Sequence, residues 1–379
     1  MSILVKDKNV IVPQEIEIPL DSNIDFGTFS RTLDDMSASY KTFWLIAILD
    51  ELIAGNTKIY FKKLISRMIV KAWYPILAYK LYFGACDNLY KIVNYIKENY
   101  NFKNDCKQDQ LIDFLMNTDD KEIIRRMKDL TNNVPYKFLT PFLGVHSNKE
   151  IINSSKLDEK CIYLINVDDK NEKYIIVRDK WTGFLQKNYS VIKGWTYYKL
   201  IEFLQKRNPN VPAICSKLEP PYSRALKQQK DIWKDIIKEK QIIDIYTGLE
   251  FNSDNYKNKG VLSLDHFIPW SFVLHDQMWN LIPTFKNVNS KKSDNLLKYE
   301  NYIDEFCNLQ HKAFEYVVTH KKNHQLEEYT DVLKIDDPNK YLNNNCHEEF
   351  SKRIKQTIYP IYNIAENQGF KVINKLEGV

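Results

Sequence analysis

The chain has 379 residues, 44% of them hydrophobic and 13% aromatic, enough to fill the cores of two or three domains and to exclude wholesale disorder. Fifty-four basic against 49 acidic residues give a net charge of only +5, so a case for nucleic acid has to rest on local placement. Ten glycines, with no G-x-G-x-x-G and no G-K-[ST], exclude a glycine-rich phosphate loop, and the longest apolar run, 43–49, is too short to span a bilayer.

Residues 1–27 read as extended, with 10–12 and 16–20 as strand candidates. From Ser37 the period turns helical. Phe43, Trp44, Ile46, Ala47 and Leu49 fill a first helix that ends near Gly55. A second is expected over 58–73, broken by Tyr74-Pro75 before a third that Gly84 closes. Asp87 opens a helix carrying Leu89, Ile92, Val93 and Ile96, and Asp119-x-x-Glu122 reads as a capping box for a helix to Leu130. The stretch 134–142, with Pro135 and Pro141, reads as a packed connector rather than regular helix. Two β-rich runs, 161–165 and 174–177, flank the polar loop 168–171 as a hairpin. A helix over 197–206 stops at Asn208-Pro209, and Glu219-Pro220-Pro221 is the best domain joint.

Residues 224–240 form an amphipathic pattern, with Leu226, Trp233, Ile236 and Ile237 as one stripe. Arg224, Lys227, Lys230, Lys234 and Lys238 line much of the rest. They are either contacts to a phosphate backbone or a solvated face paired with Asp231, Asp235 and Glu239. After Asn295 the pattern is helical through Val318 and polar to Asp337. A last helix over 347–358 meets Pro360, and 361–367 continues to a cap at Gly369.

The chemistry lies in 261–296, VLSLDHFIPWSFVLHDQMWNLIPTFKNVNSKKSDNL. Asp265-His266 ends one apolar run, Asn280 opens a second fourteen residues after His266, and Asn289 follows nine residues later at a helix start. Strand, loop, strand, helix is the expected order, and such a unit brings a carboxylate, an imidazole and an amide around one ion. DHFIPWSF, WNLIPT and NSKKSDN resemble the HNH (ββα-metal) endonuclease motif in its HNN form, most of all the HNH domain of RNA-guided CRISPR effector nucleases. The likeness covers only about forty residues. The rest of the chain shows no RNase-H-like domain and no arginine-rich bridging helix, and looks more like stand-alone bacterial HNH proteins of defence against phage or mobile elements.

His266 is the candidate general base, because imidazole is the side chain whose proton exchange is best matched to taking a proton from water near neutral pH. Asp265 and Asn289 are the candidate metal ligands, and this hard oxygen pair suits Mg²⁺, with Mn²⁺ as the alternative. Asn280 is grouped with the catalytic residues as the one that holds the loop around His266. Lys292, one turn past Asn289, can face the same phosphate, where by resemblance it stabilises developing negative charge; the other reading is a solvated lysine. Lys286 and Lys291 join Lys292, Arg224, Lys227 and Lys230 as candidate nucleic-acid contacts. His275 and Asp276 fall in the loop between the strands as candidate second-site ligands, although the family pattern does not need them. Trp270, Phe272, Trp279 and Phe285 read as the module's small core.

The expected fold is α+β, mostly helical, with an embedded ββα-metal module. The domain plan is an N-terminal helical domain 1–145, a hairpin-plus-helix region 146–218, the nuclease domain 219–310 with its core over 242–298, and a C-terminal helical region 311–379. The six cysteines form no C-x-x-C, and the upstream position where many relatives carry a zinc knuckle reads Ile245-Tyr246-Thr247-Gly248-Leu249, so structural zinc is not expected. Reduced thiols and an N-terminus without a signal h-region point to the cytoplasm. The resemblance implies DNA, duplex first, as the partner, no membrane, and products with a 5′-phosphate and a 3′-hydroxyl. RNA cleavage and a nucleic-acid-binding subunit are the rival readings. The N-terminal helical domain proposes no chemistry and is available to a protein partner or a second copy.

Overall fold

The computed structural model describes residues 5–7, 10–11, 24–34, 36–220, 226–342 and 346–376. The strand candidate 16–20 and Arg224 lie outside them. The protein is α+β and mostly helical, and it divides into two compact units, 1–209 with 217–220 and 210–216 with 221–379. No helix among the described residues is long and apolar enough to cross a membrane.

The first unit is organised around the helix Tyr40–Ile53, in which every residue of 43–49 is buried. The helix Phe61–Leu77 packs against it and against Asn88–Asn99 and Gln108–Asn117. Trp44 donates its indole N–H to the Tyr163 hydroxyl at 3.0 Å, and that hydroxyl donates to the Pro135 carbonyl at 2.6 Å. Both polar tips are therefore satisfied inside an aromatic core. Residues 58–60 are a strand, not the first turn of the expected helix. They pair antiparallel with Lys173–Val177, which is also paired with Tyr163–Val167. Such a partner more than a hundred positions away leaves no local periodic signal.

Three further local expectations are corrected. Pro75 does not break its helix, which runs two residues past it to Leu77, and no third helix follows before Gly84. The cap of Lys121–Thr131 is Asp120, whose carboxylate accepts from the backbone N–H groups of Glu122 and Ile123, so the expected Asp119 box is one residue off. The connector holds two single helical turns, Val134–Lys137 and Thr140–Leu143, each with a proline among its first two residues, where a missing N–H costs nothing. The helix expected from Tyr197 runs from Tyr189 to Gln205, and Asp179–Lys187 and Asn323–Leu333 add to those expected.

The second unit carries the motif. Strands Leu262–His266 and Leu281–Phe285 pair antiparallel, with Asp265 opposite Ile282 and His266 opposite Leu281, and the helix Lys286–Lys292 follows directly. Gly260 (φ 88°) turns the chain into the first strand with a backbone conformation that L side chains rarely adopt, where an added Cβ would stand 3.2 Å from Asn287 Oδ1 and Lys286 Cβ. The helix Lys227–Lys240 buries Ile232, Trp233 and Ile236, so Ile232 stands in the apolar stripe and Ile237 does not reach full burial. The long helix Tyr299–Thr319 packs on Leu281–Phe285, on Lys227–Lys240, and on the helices Asn323–Leu333 and His347–Asn367. His347–Asn367 is one helix with Pro360 inside it. Pro360 removes the N–H that would meet the Gln356 carbonyl, and both residues are exposed.

Candidate active site

The strand Leu262–His266 ends at its histidine, and the chain bends at once through Phe267, Ile268 and Pro269. Asn280 fixes that bend. It is fully buried, accepts from the Ile268 N–H at 2.8 Å and donates to the Ile268 carbonyl at 2.9 Å, while its own carbonyl accepts from Phe267 N–H at 2.9 Å. A primary amide is the one side chain that offers both groups in this geometry. The bend lets neighbouring residues of a strand, which would otherwise face opposite ways, line one cleft of about 530 Å³. Asp265, His266 and Asn289 all line it, with Ser263, Asp294 and Lys230 among their neighbours.

Asn289 donates its amide N–H groups to Ser263 Oγ at 2.8 Å and to the Leu264 carbonyl at 2.9 Å. The carbonyl can only accept, so the amide is held with Oδ1 as its remaining acceptor. Asp265, 3% exposed, is gripped from the protein side. Its Oδ2 accepts from the Tyr246 hydroxyl at 2.6 Å and from the Lys292 ammonium at 2.9 Å, and Oδ1 accepts from the same ammonium at 3.1 Å. Lys292 also donates to the His266 carbonyl at 2.7 Å and is wholly buried. It therefore faces the carboxylate beneath its helix. With two donors on Oδ2 and one on Oδ1, a lone pair of Oδ1 remains for another partner.

His266 is 6% exposed, and its Nε2 lies 2.9 Å from Asp276 Oδ1. Asp276 sits in the loop between the strands, just after Leu274, whose backbone is left-handed (φ 58°). The loop is tied down beyond it. The Glu328 carboxylate accepts from Met278 N–H at 2.6 Å, and Trp279 donates to Gln277 Oε1 at 2.6 Å. The neighbouring His275 packs its ring on Trp279, with centroids 5.0 Å apart. Burial, with a contribution from His266, pushes the His275 imidazole down to about 4.

Upstream, 243–250 form a tight turn closed by an isolated bridge between Ile243 and Glu250. Buried Asp244 accepts from Tyr246 N–H at 3.2 Å and from Thr247 Oγ1 at 2.8 Å, and its backbone bonds Leu249 and Gly248. Burial pushes the Asp244 carboxyl up to about 6. This turn aims the Tyr246 hydroxyl at Asp265. Burial first, and the Asp265 charge second, hold that phenol well above its ordinary value, so it remains a donor.

Lys230 lines the cleft, whereas Lys227 is exposed and lines a groove with Asp231, Asp235 and Lys322. Lys286 and Lys291 are exposed on the motif helix. Phe272, Trp279 and Phe285 are buried as expected of a core, but Trp270 is only half-buried and forms part of the cleft wall. Tyr246 and Asp276 are the two site residues that the motif spacing does not reveal.

Residues 244–296 match the family model described as HNH endonuclease. The chain carries an HNH endonuclease domain. Comparison with curated proteins and with solved structures gives no match. HNH domains are nuclease domains that act on nucleic acid, in general with a divalent metal.

Proposed function

We propose that the HNH domain hydrolyses phosphodiester bonds of duplex DNA with Mg²⁺ as its metal, and that the protein serves bacterial defence against phage or mobile elements in the cytoplasm. The observation that carries the reading is the convergence of Asp265, Asn289 and His266 on one cleft. The defence role rests on the likeness to stand-alone HNH proteins. All six cysteines are free thiols, which suits a reducing compartment.

The donor set fits a hard cation. The free lone pair of Asp265 Oδ1 and the Asn289 carbonyl oxygen would hold it, and no group of three His, Cys, Asp or Glu side chains among the described residues forms a closed cage. Mg²⁺ is commonly held in this way, by one or two protein oxygens with water and phosphate completing the shell. When bound, it would polarise the phosphoryl oxygen and relieve charge on the leaving oxygen. Lys292 and Tyr246 fix the Asp265 carboxylate, and His266, which lines the cleft, is the base. Water attacks phosphorus and gives its proton to His266. The P–O3′ bond breaks, and the departing oxygen is protonated by solvent, leaving a 5′-phosphate and a 3′-hydroxyl. Lys230 at the cleft and Lys286 and Lys291 on the motif helix are the candidate phosphate contacts.

The test is cleavage of plasmid, single-stranded DNA and RNA by the purified chain in Mg²⁺ and in EDTA, wild type beside His266→Ala. The expected result is plasmid nicking that EDTA and the substitution each abolish. RNA cleavage alone would move the assignment to a ribonuclease. Binding of nucleic acid without any cleavage, unchanged by His266→Ala, would make it a binding subunit.

A further inference from the structure

We infer that Asp276 is a positioning residue that sets the tautomer of His266, so that Nδ1 is the nitrogen that takes the proton from water. The inference rests on the nuclease reading above for its catalytic consequence, but not for the geometry. Asp276 Oδ1 lies 2.9 Å from His266 Nε2, with the two side chains 26% and 7% exposed. A carboxylate offers only acceptors, so the hydrogen in this bond belongs to Nε2. The neutral ring then carries its free lone pair on Nδ1.

Asp276 is not a mobile surface acid that happens to lie nearby. Its loop is pinned after it by Glu328 on Met278 N–H, by Trp279 on Gln277, and by Asn280 on both polar groups of Ile268. Before it, Leu274 adopts a left-handed backbone that redirects the chain toward the ring. The ring is thus held from behind, while its own carbonyl is held by Lys292. In the chemical step the O–H bond of water breaks and its proton goes to Nδ1. The water oxygen bonds to phosphorus as the P–O3′ bond breaks. The imidazolium formed keeps its Nε2–H on Asp276, whose charge stabilises it without taking the proton.

The tautomer is read directly by nitrogen NMR on the full chain labelled with ¹⁵N-histidine, the His266 signals being identified by their loss in His266→Gln. In wild type, Nε2 is expected at the position of an N–H nitrogen and Nδ1 at that of a bare imine nitrogen. In Asp276→Ala and in the isosteric Asp276→Asn, the two signals should move toward each other or exchange. In parallel, kcat for cleavage should fall on the order of 10²-fold in both variants, the size of a general-base contribution. KM and Mn²⁺ affinity should stay within about twofold, and Asp276→Glu should recover about tenfold or more of the lost kcat. Unchanged nitrogen signals in Asp276→Ala, or a kcat within about threefold of wild type, would overturn the inference. A wild type that shows the expected tautomer yet cleaves nothing would uphold the Asp276–His266 pairing and sink the nuclease reading instead.

Discussion

Replacing Lys292 by methionine separates two roles that the sequence leaves entangled. If the ammonium chiefly serves a phosphate, its loss lowers the rate and leaves the fold alone. The structure predicts otherwise. The ammonium is fully buried, lies 2.9 and 3.1 Å from the two oxygens of Asp265, and also holds the His266 carbonyl at 2.7 Å. Methionine fills most of the volume but strands the Asp265 charge on one donor, the Tyr246 hydroxyl. Removing one partner of a buried ion pair costs about 3–5 kcal/mol. In a unit of this size each kcal/mol shifts the midpoint by about 2–4 °C, so the expected drop in Tm is roughly 6–20 °C. The assay is calorimetry of the transition of the second unit, with and without Mg²⁺. Because the variant leaves Asp265 under-compensated, Mg²⁺ should raise its Tm by more than it raises that of wild type. Adding Asp265→Asn to Lys292→Met removes the stranded charge and should recover about 1–3 kcal/mol of coupling. A drop below about 3 °C, or no coupling in the double variant, would refute the buried-pair argument.

Asn280→Ala leaves both the N–H and the carbonyl of Ile268 without partners in a buried bend, at about 1–3 kcal/mol each, and should lose nuclease activity together with stability in urea. Asn280→Asp keeps the acceptor and lacks the donor, so it should fall between. Asp244 and His275 titrate with opposite consequences. Asp244 is pushed up to about 6, so as pH falls from there toward 3.8 the folded state takes its proton first and gains stability. His275 is pushed down to about 4, so as pH falls from 6.5 toward that value the unfolded state takes the proton first and the fold loses stability. Each effect is about 3 kcal/mol when complete, and they offset each other across the shared window. Urea midpoints measured at about pH 4.5 and about pH 6.5 should therefore change little from these two groups together. They should fall on acidification in Asp244→Asn and rise in His275→Gln relative to wild type, and parallel profiles in all three would contradict both assignments.

The motif was legible because its parts are local. Asp265 and His266 close one strand, Asn280 immediately precedes the next, and Asn289 lies in the middle of the helix Lys286–Lys292 that follows rather than at its expected start, so spacing along the chain still translates into place in the module. Tyr246 and Asp276 were not legible, for the same reason in reverse. A tyrosine in a turn and an aspartate in a loop look ordinary until the fold brings them to Asp265 and His266, 19 and 10 residues away. The spacing of Lys292 from Asn289 fixes its helix face but not what that long side chain reaches. Trp270 was misread because an aromatic residue carries no mark that tells a core position from a cleft wall. The prolines failed as helix breakers, since the helices run past Pro75 to Leu77 and past Pro360 to Asn367.

The matched segment 244–296 cannot hold its own geometry. Two five-residue strands and a two-turn helix form too small a surface to be stable alone. Its buried polar groups are completed from later in the chain. The Leu281 carbonyl accepts from Gln310 at 2.8 Å, Gln310 is held in turn by the Tyr329 hydroxyl at 2.6 Å, and the Met278 N–H is met by Glu328. Phe267, at the bend after His266, stacks on Phe306 with centroids 4.1 Å apart, and Tyr246 meets Tyr302 edge-on at 5.7 Å. The strand Leu296–Leu297 pairs with Val372–Ile373, and the Tyr362 hydroxyl caps the Leu297 carbonyl at 2.9 Å. Buried amides and carbonyls are rarely left unpaired, so these helices are part of the site's construction rather than an appendage to it. The position of Asp276 depends on Glu328 and that of Asp265 on the packing of Tyr246, which places the stiffness of the cleft in residues beyond the motif as much as within it.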